Sequence, residues 1–199
     1  MTPEQHRKKI HTLVVLLVFP FLMIGMAGAV YWMNVNGITL FGGESRSRGE
    51  LLSSPYPSLA SLSSLQVLRG EEPIRKAGER SWTFLHVLPI HCDEACQSHL
   101  WESRQTRMAM GRLSDRVRRA AIVLGGQPDA AFAAFLEKEH PDLSVWLVQQ
   151  ADWDRLMPDD VQPAKLYFAD RFGNIMMRYN DSHSYKDIMK DMNFLIRHN

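Results

Sequence analysis

Only two cysteines occur in the chain, and their setting limits its fold more than any other feature. Cys92 and Cys96 lie in the run Pro89-Ile90-His91-Cys92-Asp93-Glu94-Ala95-Cys96. An apolar stretch, Trp82 to Leu88, leads into this run, and a stretch of helical character, Glu94 to Met110, leads out of it. The order strand, turn, helix places both sulfurs at a helix N-terminus, where partial positive charge favours thiolate over thiol. A pair so placed suits thiol–disulfide chemistry or the binding of a soft metal; two ordinary buried thiols are the plainer alternative. Asp93 and Glu94 act in both directions, favouring the helix start while opposing a thiolate beside them.

The N-terminal region sets the compartment. From Leu13 to Met33 there is no charged residue, a run long enough to cross a bilayer core of ~30 Å as a helix. His6, Arg7, Lys8, Lys9 and His11 precede it, and the first basic residue after it is Arg46. Positive charge stays on the cytoplasmic side, so the remainder of the chain is expected outside. Tyr31 and Trp32 stand where an interfacial aromatic belt is placed, and Pro20 and Gly25 are tolerated inside a membrane helix. Ala27-Gly28-Ala29 fits a signal-peptidase site, but the apolar run continues past it, which favours an anchor over a cleaved leader. Either way the body of the protein is exported, and in a Gram-negative bacterium it would face the periplasm from the inner membrane, where a cysteine pair can be oxidised.

After the anchor, residues 34–64 read as a linker leading into the domain. Asn36-Gly37, Gly42-Gly43, Ser45 to Gly49 and Ser53-Ser54-Pro55-Tyr56-Pro57 offer turns and little to pack. The expected organisation is a cytoplasmic segment 1–12, an anchor 13–33, a linker and entry segment 34–64 and one domain, 65–199. With 199 residues and 45% hydrophobic content the chain can build one substantial core.

Within that domain strands and helices alternate. Leu65 to Leu68 reads as a short strand, Ala120 to Leu124 as a buried one ending at Gly125-Gly126, and Leu143 to Val148 as another. Asp129 to His140 carries Phe132, Phe135 and Leu136 at helical spacing. Leu166 to Ala169 and Ile175 to Tyr179 flank Asp170-Arg171-Phe172-Gly173-Asn174, a hairpin signal. Ser184 to Arg197 sets Ile188, Met192 and Leu195 on one helical face. The sum is an α/β fold, a mixed sheet with helices on both faces.

That order resembles the thioredoxin-like fold and, more closely, its Sco/SenC branch of membrane-anchored copper proteins. The resemblance runs from about Trp82 to Arg197. It rests on Cys-x-x-x-Cys, on the ending Leu166-Tyr167-Phe168-Ala169-Asp170-Arg171-Phe172-Gly173-Asn174 with a closing helix, and on the single N-terminal anchor. It implies assistance in cytochrome c oxidase assembly, by delivering Cu(I) to the binuclear copper site of subunit II or by reducing the thiols of that site. It also implies Cys92 and Cys96 as the reactive and copper-holding residues, with subunit II or other assembly factors as partners.

The chain departs from the Sco pattern at the third copper ligand. Where the family's histidine is expected, upstream of Gly173, stands Gln162 followed by Pro163, and no histidine lies between His140 and His183. Two thiolates remain as soft ligands for Cu(I). His91 and His99 are the nearest imidazoles, read more simply as a turn residue and a helix-surface residue. In the wider thioredoxin resemblance Pro163 sits roughly where a cis-proline lies against the sulfurs, and a loop proline is the equal alternative. Two further uses of the pair stay open: general periplasmic thiol–disulfide exchange, and an inert structural disulfide in an assembly scaffold.

Other chemistry is absent from the pattern. The eleven methionines are spread over helices and strands and read as core filling. No phosphate loop, carboxylate pair or Ser/His/Asp order stands out. A net charge of +1 gives no nucleic-acid surface, and Arg116, Arg118 and Arg119, without interleaved aromatics, read as a solvated helix end.

Overall fold

The computed structural model describes residues 3–35, 47–74, 81–160 and 164–198. The chain divides into two units, the first ending at Glu44 and the second beginning at Ser45. The first holds α1, Pro3–Val35, a helix with Pro20 inside it. Its stretch Leu16–Met33 is long and apolar enough to cross a membrane. Leu17, Phe21 and Ile24 within it are exposed.

The second unit is built on one seven-stranded sheet. Its strands are β1 (Glu50–Leu51), β2 (Gln66–Arg69), β3 (Trp82–Leu88), β4 (Val117–Leu124), β5 (Leu143–Val148), β6 (Leu166–Ala169) and β7 (Ile175–Tyr179), in the spatial order β1-β7-β6-β3-β4-β5-β2. β3, β4 and β5 are parallel, and the remaining pairings are antiparallel. Every residue of the central β3 is buried, which explains why its mostly apolar run shows no alternation: both faces are covered, and the two polar residues in it, Thr83 and His86, have partners inside.

Between the strands run α2 (Glu94–Ala109), α3 (Ala130–Glu139) and α4 (Gln150–Leu156), and α5 (Tyr185–His198) follows β7. On one face Phe84, Phe168, Met177 and Tyr179 pack with Ile188, Met192 and Ile196 of α5. Beside them Leu88, Ala121, Val123 and Val145 meet Leu100 of α2 and Phe132 and Leu136 of α3. On the other face Leu85, Ile122, Trp146 and Tyr167 pack with Trp153 of α4 and with Leu59 and Leu62. The expected mixed sheet with helices on both faces is present.

Three features differ from the sequence reading. First, residues 47–64, read as the later part of a linker and entry segment, pack onto the sheet. Leu59 and Leu62 are core residues, β1 pairs with β7, and Asp191 of α5 accepts the N–H groups of Arg48 and Gly49 at 2.7 and 2.9 Å. The β1 pairing and the two N–H groups are backbone contacts that no side-chain periodicity reveals. Second, the sequence pattern does not mark α4, which is only two turns long and turns Asp152 inward together with Trp153. Asp152 accepts from Ser63 and Ser64, fastening the segment before β2 to this helix. Third, Arg118 and Arg119 lie in β4 and not on a helix end. Arg118 hydrogen-bonds Thr83 Oγ1 at 2.9 Å, and the Arg119 side chain is wholly buried.

Candidate functional site

The turn between β3 and α2 holds the two sulfurs. β3 ends at Leu88, and Asp93 caps α2 by accepting the N–H of Cys96 at 2.9 Å. Cys92 therefore sits just before the helix and Cys96 in its first turn, as the spacing predicted. The pair is joined in a disulfide with its α-carbons 5.4 Å apart. Both cysteines are partly buried against the Leu100–Phe132 cluster. Gln97 Nε2 donates to the Cys92 carbonyl at 3.1 Å, so α2 grips the residue that precedes it.

His91 is held on the other side of the turn. Its Nδ1 lies 2.5 Å from Asp129 Oδ2, and Asp129 N–H donates to the carbonyl of Ile90 at 3.0 Å. Asp129 also caps α3 through the Phe132 N–H, which together with His91 holds its carboxyl below the usual carboxylate range. His99, one residue short of a full turn beyond Cys96, is engaged by Asp181 at 3.0 Å. Both imidazoles thus have carboxylate partners.

The sulfurs open onto a cleft of about 980 Å³. Its opposite wall includes Asp160, Ala164, Lys165 and Arg178, none of them singled out from the sequence. Tyr167 OH donates to Asp160 Oδ2 and accepts the Ala164 N–H at 2.7 Å, so one buried phenol grips the residues on both sides of 161–163. Burial and the Asp160 carboxylate push the Tyr167 hydroxyl far above its ordinary pKa, so it remains a neutral donor. Arg178 joins Asp160 at 3.3 Å and Glu50 at 2.8 Å, bringing β1 to the same rim. Gln162 and Pro163 themselves lie outside the described residues, although Asp160 and Ala164 on either side line the cleft that contains the sulfurs. A carboxylate, a phenol and two cations from distant segments leave no local motif by which to find this wall in the sequence.

Among the described residues no three His, Cys, Asp or Glu side chains gather closely enough to hold a metal ion. Reduction of the disulfide would expose two thiolates, a soft donor pair suited to Cu(I) and poorly matched to harder ions.

Comparison with known proteins agrees with this architecture. The profile of the family described as transmembrane-like, thioredoxin-like, C-terminal domain matches residues 82–199, from the first residue of β3 through α5. The chain belongs to that family. No curated protein matches it. Among solved structures, a thioredoxin-like protein from Porphyromonas gingivalis is 18% identical with a TM-score of 0.55, over 72% of this chain and 95% of that one. It has the same thioredoxin-like fold. ScoI of Arabidopsis thaliana, solved with copper bound, is 15% identical with a TM-score of 0.49, over 60% of this chain and 86% of that one. ScoI of Bradyrhizobium japonicum, also solved with copper, is 19% identical with a TM-score of 0.43, over 57% and 84%.

Proposed function

We propose that this family member is a membrane-anchored thiol–disulfide exchange protein of Sco type. It faces the periplasm of a bacterial inner membrane and assists cytochrome c oxidase assembly through Cys92 and Cys96. The observation that carries the reading is the Cys92–Cys96 disulfide at the N-terminus of α2 on an open cleft. A buried bond remote from any cleft would speak for a structural staple. The Cys-x-x-x-Cys spacing, the β6–β7 ending and the N-terminal apolar helix, which the resemblance to Sco rests on, turn the reading toward the oxidase.

In the reduced protein one thiolate attacks a disulfide in the partner, forming a mixed disulfide and releasing one partner thiolate. The second thiolate of the pair then attacks the mixed disulfide and releases the other partner thiolate. Two electrons pass to the partner, and Cys92–Cys96 is left oxidised, the state described here. The helix N-terminus stabilises the attacking anion, and the backbone N–H of Cys96 is already occupied by Asp93. On this reading His91, Gln162 and Pro163 are neighbours of the exchanging sulfurs. The subunit II copper site supplies the partner thiols, and Cu(I), where carried, is cargo on the two sulfurs.

Trapping tests this directly. The reduced protein is mixed with the oxidised copper-binding domain of subunit II from the same cell and quenched with an alkylating agent. Cys92→Ser or Cys96→Ser, by removing the resolving thiol, should accumulate a mixed disulfide with that domain. Absence of any adduct from either variant, with the native pair unchanged by glutathione buffers, would leave the structural-disulfide scaffold as the better account.

A further inference from the structure

Between α2, β3 and β4 lies a buried polar cluster that the exchange chemistry leaves unused. Ser103 Oγ of α2 meets His86 Nε2 of β3 at 2.8 Å and accepts from Arg119 Nε of β4 at 3.2 Å. Its oxygen is also 3.0 Å from the carbonyl of Leu100, to which Arg119 Nη2 donates at 2.6 Å. His86, Ser103 and Arg119 are at most 3% exposed. Burial draws the Arg119 guanidinium down to about 10, with Asp142 at 3.2 Å opposing the shift, so it stays cationic at neutral pH. Burial and the nearby Arg119 charge hold His86 well below its ordinary range, hence neutral.

These contacts span the two elements that carry the sulfurs. His86 is on β3, whose end at Leu88 leads through Pro89, Ile90 and His91 into Cys92. Leu100 lies one helical turn beyond Cys96, and Ser103 follows in the next. The His86–Ser103 contact ties strand to helix, and the Arg119 fork ties the same stretch of helix to β4. We propose that His86, Ser103 and Arg119 are positioning residues for the Cys92–Cys96 couple. By fixing α2 against β3 and β4 they keep the reduced sulfurs within bonding range and so set how readily the pair closes. This rests on the exchange reading above.

The physical ground is the directionality of buried hydrogen bonds. Apolar side chains of similar volume could hold α2 to the sheet about as strongly, yet would tolerate sliding, whereas a hydroxyl shared by three partners admits one register. Closure of the pair by oxidised glutathione forms one intramolecular disulfide and releases two reduced glutathiones, two electrons passing to glutathione. Its equilibrium constant measures the effective concentration of one thiol at the other. Freedom added to α2 lowers that concentration.

The test equilibrates full-length protein in detergent with a series of glutathione buffers, quenches with acid, alkylates and reads the oxidised fraction. Ser103→Ala should lower the closure constant about tenfold, equivalent to roughly 30 mV. Arg119→Lys keeps the charge but not the fork, and should shift the constant in the same direction as Arg119→Met. Tyr179→Phe, which removes a hydroxyl bonded to Asp191 at 2.9 Å on α5, serves as a control for general loosening and should leave the constant unchanged. A Ser103→Ala constant within twofold of the native one, or an equal shift in Tyr179→Phe, overturns the positioning role alone. A native pair that never changes oxidation state overturns the exchange reading and this inference together. If the Arg119 variants do not fold, Ser103→Ala against Tyr179→Phe decides.

Discussion

Reducing the Cys92–Cys96 bond should cost little stability and leave the fold intact, as a pair that opens and closes in use requires. The two residues are only four apart, so the bond closes a very short loop and restricts the unfolded chain slightly. The loop-entropy relation gives about 2 kcal/mol for a closed loop of that size. The sulfurs touch only the margin of one of three core clusters, and the clusters around Trp146 and Tyr179 do not involve them. For a unit of the size of Ser45–Asn199, each 1 kcal/mol corresponds to roughly 2–4 °C, so reduction should lower Tm by ~4–8 °C. The assay is calorimetry of that unit with and without a phosphine reductant, with the Cys92→Ser/Cys96→Ser double variant as a redox-insensitive reference. Near-UV circular dichroism should keep its native shape in the reduced sample. Loss of the cooperative transition on reduction would refute the reasoning, because the bond would then be holding the fold. A rise in Tm on reduction would refute it equally, by removing the entropic term on which the figure rests.

Stability should also fall as pH drops from about 6.5 towards 4, ahead of the carboxylates. Burial lowers His86 well below its ordinary range and His140 to about 4, so the unfolded chain takes up protons there that the native one refuses. The loss is at most about 1.4 kcal/mol per pH unit for each histidine, and urea unfolding at pH 7.5, 6 and 5 should show the midpoint falling; a flat midpoint would contradict the neutral burial of both rings. Gly49→Ala should destabilise by ~1–3 kcal/mol, since a Cβ there would stand 2.5 Å from the buried Tyr179 ring. Denaturant titration against the native unit checks this, and an unchanged midpoint would mean that residues 47–49 do not dock as described. Anaerobic competition with a chromophoric Cu(I) chelator should show binding that requires both cysteines and is little altered by His91→Ala or His99→Ala, while Gln162→His should strengthen Cu(II) binding. A strong Cu(II)–thiolate band in the unmodified protein would reveal a third ligand. A C-terminal reporter that functions only after export should be active, and activity of a cytoplasm-only reporter would reverse the orientation argued from the basic N-terminus.

Much of this protein could be read from local pattern, because local pattern records the physics that produced it. The uncharged run from Leu13, the mostly apolar β3, the spacing of Phe132 and Leu136 on α3, the Gly173 hairpin and the place of Cys92 and Cys96 at the start of α2 all follow from periodicity, turn chemistry or helix-terminal charge within a few residues. What stayed hidden depends on partners far along the chain. Asp191 reaches Gly49, Asp152 reaches Ser64, and Tyr167, Arg178 and Glu50 converge with Asp160 on the wall facing the sulfurs. Arg119 shows the reason most plainly. In sequence it is one of three nearby arginines and reads as solvated; in the folded unit it is buried because Asp142, Ser103 and the Leu100 carbonyl replace its water. A charged side chain carries no local mark of whether such partners await it, so its burial is settled only when β4, α2 and the start of β5 come together.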